Sequence, residues 1–589
     1  MVVLSACAPR GSGSPAERLH AQLGEDWQYW MSQYPELATS IGYAGQDGRW
    51  TDYSSDAIAA RAAYLRRSRE RLGTVDRSAL DANDRRNFDL YRSLLDTAVA
   101  GLAFHNDAVP ISGEVPHSLF MPLNQLEGVQ QDVPRTLASA PRSTRDDYEN
   151  LVRRLRGVGP LVDQTMALME QGLAAGMTPP RVTLRDVPGQ IKSQLADDPL
   201  KSPLLAAFST WPASIAEADR AELTMRAVAA YRESAAPAFK RLEQFVEGRY
   251  LPRCRTSTGV DALPQGASIY AYNIKWHTTI EASPAAIHAL GLQEVERIRR
   301  EMDQLIVATG FRGGFAEFGT FLRTDPRFYF RDAASLVAAY RDIAKRADPE
   351  LAHLFGRLPQ TPYGVKDVPA AVAPSQTTAY YEQGAFTTGR PGYMFANTYK
   401  LEARPKWEME TLTLHEAVPG HHVQIAIAQE LQGLPEFRKV VSYTAFVEGW
   451  ALYAESLGDD MGFYKDPYSK FGQLTYDMWR AVRLVVDTGL HSMNWTRDQA
   501  IAYFRANTAK TDQDIAVEVD RYIVWPGQAL AYKTGQLKIR ELRAEAERRL
   551  GARFDVRQFH DVVLGQGAVP LGVLEEQVRS WIAGAESAK

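Results

Sequence analysis

Residues His415 to His422 read HEAVPGHH, so three of the chain's 11 histidines fall within eight residues, with a glutamate directly after the first. Imidazoles and a carboxylate grouped this closely are the donor types that hold a borderline divalent ion and exchange protons with a water beside it. Two histidines four residues apart on a helix share one face, close enough for both to reach one ion at about 2.0–2.1 Å. The spacing here is different. On a regular helix His421 lies roughly 120° around and about 9 Å along from His415, while His422 faces the same way as His415 but about 10.5 Å along. Sharing an ion therefore requires a deformed helix. Pro419 supplies the deformation, because it has no N–H for the carbonyl four residues back, which belongs to His415, and its ring clashes with that oxygen. Gly420 removes the remaining steric resistance. A bulge over Val418-Pro419-Gly420 brings His421 to His415 and leaves His422 to support the ligands or touch substrate, while the alternative takes His422 as the second ligand. Glu416 then stands beside the ion as a general base. A Pro-Gly pair inside a helical run costs about 3 kcal/mol or more, and a site strained for function explains it better than packing does.

The elements around this cluster read as helices. Ser283 caps and Pro284 opens a run in which Gly291, Val295, Ile298, Met302 and Leu305 recur on one face. Asp332 caps residues 333–345, and Thr496 with Gln499 forms a capping box. Residues 357–404 differ, being rich in Pro, Gly, Tyr and Phe, and read as a small sheet with loops. The 589 residues carry 67 Lys and Arg against 71 Asp and Glu, a net charge of −4 that offers no field for nucleic acid. No run approaches the roughly 18 apolar residues of a membrane-spanning helix. Nucleotide-binding, hydrolase-elbow and C-x-x-C motifs are absent.

Taken together, HEAVPGHH, NTYKLEARPKWEMETLTLHEAVPGHH, FVEGWALYAE, DTGLH and DRYIVWPGQALAYKTG resemble a bacterial family labelled as of unknown function. That family is grouped with the gluzincin-type, zincin-like metallopeptidases, akin to carboxypeptidase Taq, the oligopeptidases and angiotensin-converting enzyme. The resemblance implies a mainly α, two-lobed zincin-like body with a deep cleft and a small β-sheet beside the metal helix. It implies one zinc ion held by His415, His421 and a glutamate from a following helix, for which Glu448, set among apolar residues, is the candidate. Glu416 would act as the base in hydrolysing short peptides. Ala451 and Leu452 stand where gluzincins often place an acidic residue, so Glu455 or Asp487 must orient a ligand instead.

Further roles follow from the same resemblance. Met394 to Thr398, with Ala396 and Asn397, is similar to the edge strand along which gluzincins bond an extended substrate. Arg521-Tyr522 resembles the Arg-Tyr pair of the angiotensin-converting enzyme group, with Tyr522 donating to the oxyanion and Arg521 touching substrate. His491, four residues after Asp487 on a helix, reads either as an Asp-oriented histidine of the site or as half of a structural pair, and Gln528, Tyr532 and Lys533 as substrate contacts. An inactive peptide- or metal-binding lipoprotein and a zinc amidohydrolase on other amides are the competing readings.

At the start of the chain, Leu4-Ser5-Ala6-Cys7 resembles a bacterial lipobox. Residues 1–7 are expected to be a signal remnant and residues 8–20 a flexible tether. A helical lobe is then expected over 21–310 and a metal-binding lobe over 311–589. A lipid on Cys7 would be the only membrane attachment, on the periplasmic side of the envelope. Cys254 is left as a small buried apolar residue.

Overall fold

The computed structural model describes residues 13–107, 115–370, 373, 376–386 and 389–587, so the lipobox and Cys7 lie outside the described residues. The fold is mainly helical with one three-stranded sheet. Among the described residues no helix is long and apolar enough to cross a membrane.

The chain divides into two compact units, one running to Thr256 and including Pro435–Val440, the other holding the rest. The first unit is built from helices such as Ser55–Leu72, Ala82–Gly101 and the 31-residue Arg145–Ala175. Its core includes Leu151, Leu155, Val162, Phe239 and Cys254. Burial pushes the Cys254 thiol up to about 12, as befits an inert apolar filler. Its first described helix, Pro15–Gln33, begins inside the stretch expected to be a tether. Ser14 and Glu17 form a capping box there, a signal hidden by the neighbouring Gly and Ser residues.

The second unit carries the histidine cluster. The division falls after Thr256 rather than at residue 310, because α1 (Pro284–Ala308) packs within this unit. The expected face of α1, through Gly291, Val295, Ile298 and Met302, is buried. At Gly291 a Cβ would stand 2.7 Å from the Cβ of Leu484, so glycine permits the close approach. The sheet lies within residues 357–404, as expected, with β1 (Tyr363–Asp367), β2 (Ala379–Glu382) and β3 (Gly392–Ala396). Its order is β1-β3-β2, with β3 parallel to β1 and antiparallel to β2.

Five helices complete the frame of the site after the sheet: α2 (Met409–Glu416), α3 (His421–Glu430), α4 (Thr444–Ser456), α5 (Pro467–Ser492) and α6 (Asp512–Val524), followed by α7 (Ala531–Leu550). Helix α5 is buried along most of its length and is the post of the unit. A buried ion network pins α1, α5 and α7 together: Lys533 Nζ lies 2.6 Å from Asp477 and 3.0 Å from Glu294, and Arg297 reaches both carboxylates. Lys533 is fully buried in this network, which explains why it is not a substrate contact.

Helices α4 and α7 touch backbone to backbone. A Cβ on Gly535 would lie 1.8 Å from the Ala445 carbonyl oxygen, and one on Gly449 would lie 2.5 Å from the Gly535 Cα. Glu448 sits next to that contact. Gly535→Ala is expected to wedge the helices apart and destabilise the protein by about 1–3 kcal/mol, read as a lower denaturation midpoint with unchanged slope.

Candidate metal centre

Helix α2 ends at Glu416, Ala417 leaves the helical region at φ −102°, ψ −106°, and α3 restarts at His421. Ala417 N–H still bonds the Thr413 carbonyl at 2.9 Å, but position 419 has no N–H for the His415 carbonyl. Gly420 passes against that carbonyl, where a Cβ would lie 1.9 Å from the oxygen. Both residues of the Pro-Gly pair are therefore dictated by one crossing of backbone. Trp450 on α4 donates its indole N–H to the Pro419 carbonyl at 2.9 Å, and His422 N–H closes onto the Ala417 carbonyl at 3.1 Å. The break turns His421 back onto His415, their ring centroids 4.8 Å apart and nearly perpendicular.

Glu448 on α4 completes the group. Its Oε2 lies 3.6 Å from His415 Nε2 and 3.7 Å from His421 Nε2. All three donor atoms fall within 4.8 Å of one another. Such separations are too long for hydrogen bonds, yet two ligands each about 2.1 Å from a tetrahedral ion are about 3.4 Å apart. Glu448 Oε2 is also buried without a hydrogen-bond partner, a costly state for a carboxylate oxygen that an ion would relieve. The residues present thus fit a divalent ion of borderline character.

The surrounding charges prepare these groups. Burial disfavours protonation of His415, but the Glu448 and Glu455 carboxylates outweigh it and hold the imidazole up to about 9. Glu455, two turns after Glu448 on α4, accepts from His415 Nδ1 at 2.8 Å and so orients Nε2 toward Glu448. Burial holds His421 down at about 4. Burial alone would raise Glu448, but the two imidazoles bring it to about 2. Glu416 goes the other way, raised to about 7 by burial and by Glu448, although the Tyr381 amide of β2 donates to it.

The remaining expected residues are placed differently. His422 is almost fully buried, bonded through Nδ1 to the Tyr381 hydroxyl at 2.8 Å and packed at a tilt against the Tyr363 ring, so it ties α3 to the sheet rather than meeting substrate. Strand β3 is the centre of the sheet, paired on both sides, so Ala396 cannot serve an extended ligand. Asn397 is buried too, its Nδ2 donating to the Ala373, Gln376 and Thr377 carbonyls. His491 accepts from Val260 N–H at Nδ1 and meets the Tyr522 carbonyl with Nε2, both backbone partners, which removes it from catalysis. Its supposed partner Asp487 instead takes the Tyr270 hydroxyl and the Gly527 N–H. These two residues fasten the turn after α6, where Gly527 has φ +88°.

Tyr522 is also withdrawn. Its hydroxyl donates to Glu518 at 2.7 Å while accepting from Trp479 and Arg483, leaving no proton for an oxyanion. Arg521 pairs with Glu518 and with Gln528 Oε1, and Gln528 Nε2 approaches the Tyr532 hydroxyl at 3.4 Å. Tyr532 is near enough to Glu448 for that carboxylate to tighten its hold on the phenolic proton. The sequence reading missed Arg480 and Arg483 of α5, each about 5% exposed. Their signal was available: two arginines a turn apart within the apolar run WRAVRLVV, where charged residues are seldom found unpaired.

The fold and site together define a mainly helical protein with a His-His-Glu donor set and an adjoining half-buried carboxyl. Over residues 35–578 the chain matches the family described as bacterial protein of unknown function (DUF885), and it belongs to that family. A crystal structure of a candidate lipoprotein from Colwellia psychrerythraea is similar at 30% identity and a TM-score of 0.90, covering 97% of this chain and 100% of that one. A candidate lipoprotein of unknown function from Shewanella oneidensis shares the fold at 16% identity and a TM-score of 0.72, over 96% of this chain and 99% of that one. No curated protein matches the sequence.

These charge states make a prediction about metal uptake. At pH 7 His421 is neutral and Glu448 ionised, so among the three donors His415 alone has a proton to give up when an ion enters, and Glu416, raised to about 7 beside them, gives up part of a second. Calorimetric titration of metal-free protein with zinc in buffers of different ionisation enthalpy should show between about one and two protons released per ion near pH 7. Affinity should climb at least about tenfold per pH unit up to about pH 9 and then level off.

Proposed function

We propose that this protein is a zinc-dependent metallopeptidase of gluzincin type, with a zincin-like fold, that hydrolyses peptide bonds in short peptides. The observation that carries this reading is the convergence of His415, His421 and Glu448, with Glu416 directly beside them as a carboxyl balanced near neutrality. His415, His421 and Glu448 would hold one zinc ion, which when bound supplies Lewis-acid polarisation of a carbonyl and lowers the pKa of water at its open position.

The chain's own residues do the rest. Glu416 accepts a proton as water adds to the peptide carbonyl and returns one to the departing nitrogen, so that water and an amide become a carboxylic acid and an amine. Tyr532 takes the oxyanion-donor role expected of Tyr522, since among the described residues its hydroxyl accepts from Gln528 and has no acceptor for its own proton. Strand β2 takes the role expected of residues 394–398, because it is a sheet edge and its Tyr381 amide is directed at Glu416. The lipobox at Cys7 would tether the enzyme to the periplasmic side of the envelope, a placement supported by the lipoprotein designation of the Colwellia and Shewanella proteins.

Glu416→Gln is the direct test. Zinc content and peptide affinity should be retained while hydrolysis of a short-peptide library falls by at least about two orders of magnitude. Unchanged hydrolysis would remove Glu416 as the base. A zinc-loaded wild type that cleaves nothing in a broad library would point to a binding lipoprotein or to an amidohydrolase of other amides.

A further inference from the structure

Helix α5 presents two guanidinium groups to the region of the metal centre, and neither is fully bonded. Arg483 donates through Nε to the Tyr522 hydroxyl and through NH2 to Glu518, and its Cζ lies 4.4 Å from the Tyr532 ring centroid. Its NH1 is buried with no partner. Arg480, one turn earlier, has a single hydrogen bond, from NH1 to the Tyr476 carbonyl at 3.4 Å. Its NH2 is 3.6 Å from Glu455, a carboxylate already bonded to His415, and its Nε is buried and unpartnered. Arg480 is close enough to Glu416, His421 and Glu448 to bear on the charge of all three.

The local charges do not close among themselves. Arg483 and Arg521 share one carboxylate, Glu518, and Arg480 has only a distant share of Glu455. A buried guanidinium with free N–H groups is costly unless a ligand of opposite charge arrives, and its planar fork matches a carboxylate. Resting on the peptidase reading above, we propose that Arg483 and Arg480 receive a carboxylate of the substrate, so that the enzyme selects peptides bearing a free carboxylate near the bond it cuts. The chain's C-terminal α-carboxylate and an acidic side chain are the two sources of that group.

The test uses zinc-loaded full-length protein and three short peptides of one sequence: a free acid, its C-terminal amide, and an amide carrying a glutamate next to the C-terminal residue. Equilibrium binding is measured on the wild type at 4 °C and on Glu416→Gln, where turnover is suppressed, and cleavage is followed separately on the wild type. The free acid should bind at least about tenfold tighter than the plain amide. Arg483→Gln and the milder Arg483→Lys and Arg480→Lys should bring that ratio toward one. If the glutamate-bearing amide binds as tightly as the acid, either carboxylate is accepted; if it binds like the plain amide, the source is the C-terminus; if it alone binds tightly, the side chain is the source. Equal binding of all three peptides, or no binding of any, overturns the carboxylate site. Cleavage of acid and amide alike without a binding preference leaves the peptidase reading intact and removes this inference. A binding preference without any cleavage does the reverse.

Discussion

A proline four residues after a histidine cannot close the helical hydrogen bond onto that histidine's carbonyl, and this missing bond is the constraint on which the site depends. Without it, α2 would continue through Val418 and carry His421 away from His415. With it, the chain folds back over the His415 carbonyl, a crossing so close that only glycine fits at position 420. The energy lost in the break is offset by bonds from elsewhere in the unit, chiefly the Trp450 indole to the Pro419 carbonyl. That same helix, α4, bears Glu448 and Glu455, so one element braces the turn, supplies the third donor and orients the first imidazole. The geometry is thus over-determined by α4, and α4 is in turn set by its glycine contact with α7.

Charge is distributed around this point with a similar economy of parts. Glu455 neutralises His415 from behind, Glu448 lies between the two imidazoles, and Glu416 is set mainly by burial, with Glu448 raising it further and His415, Arg480 and the Tyr381 amide opposing. Two carboxyls beside the same histidines therefore move in opposite directions, Glu448 down to about 2 and Glu416 up to about 7. Environments that separate like groups in this way are how a site divides ligand from base. Arg483 of α5 lies over the Tyr532 ring, and the unpartnered N–H groups of Arg483 and Arg480 give the region a capacity for anions that the donor set alone would lack.

Much of this was legible in the residues, and the parts that were not share a cause. The helix break, its location and the preference for His421 over His422 follow from backbone rules that act within a few residues of Pro419. The helical character, the α1 face and the placement of the sheet within 357–404 follow from local patterning. Strand order did not, because nothing local tells that 392–396 would lie between 363–367 and 379–382, and so an edge position was expected of what is the central strand. Tyr522 and His491 failed for a related reason: each sits in a plausible motif, but its hydrogen bonds go to Glu518, Val260 and the backbone of Tyr522, partners set by tertiary packing. The lobe boundary at 310 failed because α1 is helical on both readings and only its packing decides its unit.

The central claim is that His415, His421 and Glu448 jointly bind one ion across the broken helix. X-ray absorption at the zinc edge on the zinc-loaded full-length protein tests it most directly, with His421→Gln and His422→Gln measured alongside. The account predicts one zinc with two imidazole nitrogens and carboxylate oxygen at about 2.0–2.2 Å, one imidazole lost in His421→Gln and none lost in His422→Gln. An unaltered spectrum in His421→Gln, or loss of an imidazole in His422→Gln alone, would contradict it.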